Sequence, residues 1–209
     1  QAIHARDQLH ANVIIFPELS LTGYPPEDLL LRPSLSARVT DAIEQLRSVH
    51  GITMVFGLPE RGPSGLENAA WVLRDGERIA RYVKHKLPNH EVFDERRYFV
   101  AGHDACVFDC HGLRIGLTIC EDIWHPEPAR AAKAAGAELL INLNASPFHV
   151  GKAQERLAVV AERARELLGR EVHHHARHLV PAEVCENSSG DALRATVDEL
   201  RRDFFLLLH

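Results

Sequence analysis

The chain has 209 residues, 45% of them hydrophobic and 25% charged, with a formal net charge of -5. That composition can bury one sizeable core and excludes disordered and fibrous classes. Lys and Arg are scattered, which leaves no electrostatic footprint for nucleic acid, and the longest apolar run is only five residues (204–208), too short for a helix that spans a bilayer. The expected partner is a small molecule. Cys106, Cys110, Cys120 and Cys185 lack C-x-x-C spacing and no secretory leader is recognisable, so reduced thiols in a cytoplasmic compartment are expected.

In chain order, a helix over residues 4–10 leads into an apolar strand at 12–16, and the start at Gln1, without Met, suggests a preceding piece. Residues 34–49 carry Leu35, Val39, Ile43, Leu46 and Val49 at helical spacing, with Ser34 as the expected N-cap and Gly51 as the stop. Strands are predicted at 52–57, 69–73, 78–84, 105–109, 113–119 and 138–143, with tight turns at Asp75-Gly76 and His111-Gly112. Helices are predicted from Pro126 to Gly136 and over 152–168, the latter with Leu157, Val160, Ala164, Leu167 and Leu168 on its buried stripe. The alternation predicts a layered α/β fold. After residue 169 the periodicity stops, and the expectation is a domain over 1–169 followed by a divergent tail over 170–209. Within that tail, Leu193, Val197, Leu200, Phe204 and Leu207 predict a terminal amphipathic helix capped by Asp191.

Three segments place chemical groups at strand ends. Glu18 follows the first strand at once, Lys84 ends the strand before Leu87-Pro88, and Cys120 ends the apolar strand at 113–119. Each alone has an ordinary reading: a solvated carboxylate, a solvated lysine, a small buried hydrophobe. Together they supply a thiol to attack an amide carbon, a carboxylate to move protons and a cation for the developing oxyanion. A Cys120–His125 pair also lies within reach in sequence, whereas no Gly-x-Ser-x-Gly elbow occurs.

The three segments resemble the Glu-Lys-Cys sites of the nitrilase, or carbon–nitrogen hydrolase, superfamily. The strings at 16–30 (Phe-Pro-Glu-Leu-Ser-Leu-Thr-Gly-Tyr-Pro-Pro-Glu-Asp-Leu-Leu), 86–99 and 144–152 are similar to the glutaminase domain of glutamine-dependent NAD synthetases. The resemblance implies a nitrilase-like α-β-β-α sandwich, truncated at its N-terminus and divergent at its C-terminus. It makes Glu18 the general base, Lys84 (rather than Lys86) the oxyanion cation and Cys120 the nucleophile. Glu95 would support Lys84, the backbone N–H of Glu121 would be a second oxyanion donor, and Tyr24, Glu121, Ser146 and Lys152 would hold glutamine.

The implied reaction is hydrolysis of the glutamine side-chain amide through a Cys120 thioester, with no metal or organic cofactor. The ammonia would serve ATP-dependent NAD synthesis from nicotinic acid adenine dinucleotide in a synthetase domain. ATP and Mg belong to that domain, whose Ser-Gly-Gly-x-Asp-Ser loop does not occur in these residues. The resemblance also implies a homo-oligomer. A free-standing ω-amidase or other carbon–nitrogen hydrolase, and an inactive fragment that mediates assembly, are the competing readings. The sequence departs from the family pattern at His90, and after Gly169, where His173, His174, His175 and His178 stand in place of the late strand; no metal site is expected of them.

Overall fold

The computed structural model describes residues 1–89, 93–145, 152–168 and 204–206, with only some of the side chains in the last two stretches. The elements are α1 (Ala2–Leu9), β1 (Val13–Ile15), α2 (Pro33–Arg47), β2 (Thr53–Gly62), β3 (Gly65–Arg74), β4 (Glu77–Val83), β5 (Val107–Cys110), β6 (Leu113–Ile119), α3 (Pro126–Ala134), β7 (Leu139–Leu143), α4 (Lys152–Leu168) and β8 (Phe204–Leu206). They form two sheets, one ordered β4-β3-β2-β1-β8 and the other β5-β6-β7. β1 runs parallel to β2 and to β8, and β6 parallel to β7; the hairpin pairs are antiparallel.

Strand alternation distributes the apolar residues over three layers of core. Val13, Ile15, Val55, Val72 and Tyr82 of the first sheet meet Phe108, Ile115, Leu117, Ile119 and Ile141 of the second. On the outer face of the first sheet Ile14, Met54, Phe56, Trp71 and Leu73 pack under Ala2, Ala5 and Val39 of the helices α1 and α2. On the outer face of the second, Leu140 packs with Ala129 and Ala132 of α3 and Val159 and Val160 of α4. The result is the expected α-β-β-α sandwich. Because both faces of β2 are covered, its first seven residues are all buried, the pattern of a central strand.

Several predicted boundaries move, and two of the changes have a clear physical reason. The hairpin β2–β3 runs ten residues on each arm, from Thr53↔Arg74 to Gly62↔Gly65, well past Gly57. Pro59 is accommodated within the paired arm, opposite Asn68. Helix α2 starts at Pro33 with Arg32 at the cap, so Ser34 is inside the helix rather than the N-cap; proline's fixed φ is already suited to the first helical position. The turns at Asp75-Gly76 and His111-Gly112 are as predicted, with positive φ at both residues (50° and 83°, 53° and 82°), the requirement of a type I′ hairpin.

The terminal helix is a correction as far as the described residues reach. Phe204–Leu206 is a strand, paired Val13↔Phe204 to Ile15↔Leu206 along the open side of β1. A strand edge presents unpaired N–H and C=O groups that a Phe-Phe-Leu segment satisfies better extended than helical. No helix among the described residues is long and apolar enough to cross a membrane.

Candidate active site

Glu18 lies just beyond β1, where the chain stays beside β2 through Phe16 N–H to Val55 O (2.8 Å) and Leu21 N–H to Gly57 O (3.2 Å). Leu19 takes a left-handed φ of 49°, which turns the chain and closes the bend with Gly23 N–H on Leu19 O (2.9 Å). The bend passes so close to β2 that a Cβ at Gly57 would lie 2.2 Å from Leu19 N. Glycine at 57 is therefore a condition for where Glu18 sits.

Lys84 is the first residue after β4. Its N–H donates to Asn68 O and its own carbonyl accepts from Gly102 N–H, both at 2.9 Å. Cys120 follows β6 and opens a 3-10 turn, Cys120–Trp124, at a left-handed φ of 45°. For a residue with a Cβ that conformation carries about 1–2 kcal/mol of strain. The three strand ends converge, and Glu18 (1% exposed), Lys84 (0%), Glu95 (5%) and Cys120 (5%) are all buried.

Inside the cluster, Lys84 Nζ donates to Glu18 Oε1 and Glu95 Oε1, 2.7 Å each. Asn68 Nδ2 donates to the same Glu18 oxygen at 2.8 Å, and Tyr24 OH donates to Glu95 Oε1 at 2.9 Å. Glu18 Oε2 has no hydrogen-bond partner among the described residues. Burial pulls the Lys84 ammonium down, but the charges of Glu18, Cys120 and Glu95 outweigh it and hold its pKa above the usual lysine value. Glu95 is raised by burial and by Glu18, against the opposing pull of Lys84 and of its hydrogen bonds. Tyr24 is raised by burial and by Glu95, so its phenol remains a donor.

Glu18, Lys84, Cys120 and Glu95 are thus brought together as the sequence suggested. Tyr24 adjoins them with its hydroxyl on Glu95. Glu121 is half-buried, 3.5 Å from His125 Nε2, and lines a cavity of about 650 Å³ with His85, Lys86, Leu87, Arg96 and His125. None of Glu18, Lys84 and Cys120 is among its lining residues, though Glu121 directly follows Cys120 in sequence. Ser146, His90 and the histidines at 173, 174, 175 and 178 lie outside the described residues, as does the side chain of Lys152, whose backbone opens α4. Cys106 and Cys110 are buried without a disulfide.

Two residues at the site had no role in the sequence reading. Asn68 is fully buried in β3, and a polar amide at the start of an apolar strand was its signal. Asp122, also fully buried, sits two residues after Cys120, between Glu121 and Ile123, and Tyr82 OH (2.8 Å) and the N–H groups of Ile119 (3.0 Å), His85 (3.1 Å) and Lys86 (2.7 Å) all donate to its carboxylate.

The chain belongs to the carbon–nitrogen hydrolase family, whose profile matches residues 1–167, and so carries a hydrolase domain. Among relatives, it is 47% identical over 165 residues to a glutamine-dependent NAD(+) synthetase of Xanthomonas campestris pv. campestris (strain 8004), covering 78% of this chain and 30% of that protein. Of solved structures, the glutamine-dependent NAD+ synthetase of Acinetobacter baumannii, in complex with ADP, superposes with a TM-score of 0.76 at 44% identity, over 80% of this chain and 32% of that one. A variant of a Nesterenkonia sp. AN1 amidase, with the acetamide moiety of fluoroacetamide added covalently at its active-site cysteine, superposes at 0.67 with 29% identity, over 78% of this chain and 63% of that one. The chain therefore spans under a third of the Xanthomonas relative's length.

Proposed function

We propose that this chain hydrolyses the side-chain amide of glutamine through a thioester on Cys120. The observation that carries the reading is the buried Lys84 ammonium, held 2.7 Å from each of two carboxylates and electrostatically coupled to Cys120. An ammonium has three donors, and two are engaged by Glu18 and Glu95; the third is available for an oxyanion. In the first half-reaction the Cys120 thiol passes its proton to Glu18 while sulfur bonds to the amide carbon. The carbonyl oxygen takes the negative charge against Lys84 and the Glu121 backbone N–H. Glu18 then protonates the nitrogen, the C–N bond breaks and ammonia leaves. In the second half-reaction Glu18 takes a proton from water, hydroxide bonds to the thioester carbon, and the C–S bond breaks with return of the proton to sulfur. The sum is glutamine plus water giving glutamate plus ammonia, with every proton carried by side chains and water.

Glutamine as substrate is supported by the names of the synthetase relatives and by Tyr24 and Glu121, with Ser146 and Lys152 proposed to complete the binding of its head group. The ammonia would pass to a synthetase domain that uses ATP and Mg to amidate nicotinic acid adenine dinucleotide; a cytoplasmic homo-oligomer is the proposed setting. A second reading, an amidase acting on simple aliphatic amides, is favoured by the likeness to the Nesterenkonia enzyme, of which the chain covers 63%. Ammonia release from glutamine, acetamide and butyramide separates the two. Glutamine turnover with a single adduct of an electrophilic glutamine analogue on Cys120 is the expected result. Turnover retained in Cys120→Ala would sink the mechanism, and turnover of the aliphatic amides alone would sink the substrate.

A further inference from the structure

We propose that Asp122 is a positioning residue that sets the separation of Cys120 and Lys84, acting with Tyr82 as a brace between the two sheets. This rests on the roles proposed above for those two residues. Asp122 Oδ2 accepts from Ile119 N–H (3.0 Å) and Tyr82 OH (2.8 Å), and Oδ1 from His85 N–H (3.1 Å) and Lys86 N–H (2.7 Å). Ile119 immediately precedes the nucleophile in the second sheet. Tyr82 lies in β4 of the first sheet, two residues before Lys84, and His85 and Lys86 follow Lys84 directly, just beyond the end of that strand. One carboxylate therefore grips the chain on both sides of Lys84 and at the residue before Cys120.

The choice of residue type supports a positioning role. A fully buried acid costs desolvation that an apolar side chain of similar size would avoid. An ionised carboxylate is an acceptor at both oxygens, and here each oxygen meets two donors. Asparagine cannot reproduce this, because one end of its amide would turn N–H groups toward N–H groups. Burial raises Asp122, while the Ile119 and Lys86 N–H groups and the Tyr82 hydroxyl favour its charged form. Tyr82 is raised by burial and by Asp122, so it stays protonated and donating.

The brace predicts a property that ordinary core packing does not. Cys120 acts on Lys84 electrostatically, and by reciprocity Lys84 favours the thiolate; a longer separation makes the thiol less acidic. Tyr82→Phe removes one of the four bonds and changes no charge among Glu18, Lys84 and Glu95; losing the hydroxyl disfavours the charged form of Asp122, which on its own makes the thiol more acidic, so a rise of the midpoint reports the geometry. The test follows Cys120 alkylation by iodoacetamide against pH, read by peptide mass spectrometry, beside kcat and KM for glutamine and the melting temperature. In Tyr82→Phe the alkylation midpoint is expected to rise by about half a pH unit, a roughly threefold slower reaction at neutral pH. In Asp122→Asn kcat is expected to fall about tenfold or more, with KM changed less than about threefold. A control for lost stability, Val39→Ala in the buried face of α2, should lower the melting temperature and leave the midpoint in place.

If Tyr82→Phe behaves as that control does, with the midpoint unmoved, the brace is overturned; this holds even where Asp122→Asn does not fold. If the wild type releases no ammonia from glutamine and the Tyr82→Phe midpoint still rises, the substrate reading fails and the brace stands.

Discussion

Replacing Lys84 with Met should make stability depend steeply on pH. The ammonium is fully buried and touches two carboxylates at 2.7 Å. At an effective dielectric constant of about 20, each contact is worth about 6 kcal/mol before desolvation. Desolvating three charged groups cancels most of that sum, so the net worth of the cluster is small, but removing only the cation leaves the carboxylates with the desolvation and none of the attraction. The expected loss is about 3–5 kcal/mol at pH 8. In the wild type, Lys84 is raised above its unfolded value, so its contribution is complete below that value and is lost only in strong base. Glu95 is already raised with Lys84 in place and must rise further without it. In the window above the ordinary glutamate value of 4.5, the folded variant then holds more protons than the unfolded chain, and stability falls as pH rises. Urea denaturation of both proteins from pH 5 to 8.5 reads the difference. The deficit should shrink by at least about 1 kcal/mol toward pH 5. A deficit of the same size at every pH would falsify the coupling of Lys84 to the carboxylates.

At position 120 the left-handed φ of 45° reverses a usual preference: Cys120→Gly should be more stable than Cys120→Ala by about 1 kcal/mol, both without turnover, measured by thermal unfolding and ammonia release. Gly57→Ala drives a Cβ to 2.2 Å from Leu19 N, against backbone that cannot swing aside. A loss of about 1–3 kcal/mol is expected, with a fall in glutamine turnover as Glu18 is displaced; unchanged melting and turnover would show that the bend yields freely. Glu95→Gln keeps an acceptor for Lys84 and Tyr24 but removes one negative charge beside the ammonium. The Cys120 alkylation midpoint should therefore move down, opposite to the shift expected of Tyr82→Phe, and an upward move would contradict the charge arrangement.

What could be read in advance was whatever local pattern records. Glu18, Lys84 and Cys120 each interrupt or end an apolar strand, and strand ends at one sheet edge are where distant residues meet. The two type I′ turns were legible because Asp75-Gly76 and His111-Gly112 are residue pairs that tolerate positive φ. Asn68 and Asp122 escaped because their value lies in partners far along the chain, Glu18 for one and Tyr82, His85 and Lys86 for the other. A buried polar group is visible in sequence only as an oddity until its donors are known. The strand at Phe204–Leu206 escaped for a related reason. Its spacing with Leu200 and Leu207 fits a helix, and only the open side of β1, nearly two hundred residues earlier, makes the extended form the better one.

The charge balance of the cluster bears on how the thiol would be activated in the proposed reaction. One ammonium already faces two carboxylates, so losing the Cys120 proton to solvent would add a third negative charge around a single cation in surroundings that solvate charge poorly. Passing the proton to Glu18 leaves the total unchanged. In the proposed reaction the negative charge would leave Glu18 as sulfur attacks and reappear on the substrate oxygen, where Lys84, bonded to Glu18 through one donor, would meet it with another. The charge moves a short distance past a fixed cation, so little reorganisation is required. The second carboxylate then has a separate task. Glu95, hydrogen-bonded by Tyr24 and Lys84 at the same oxygen, would keep the ammonium in place at the moment in the proposed reaction when Glu18 becomes neutral and its own attraction for Lys84 is lost.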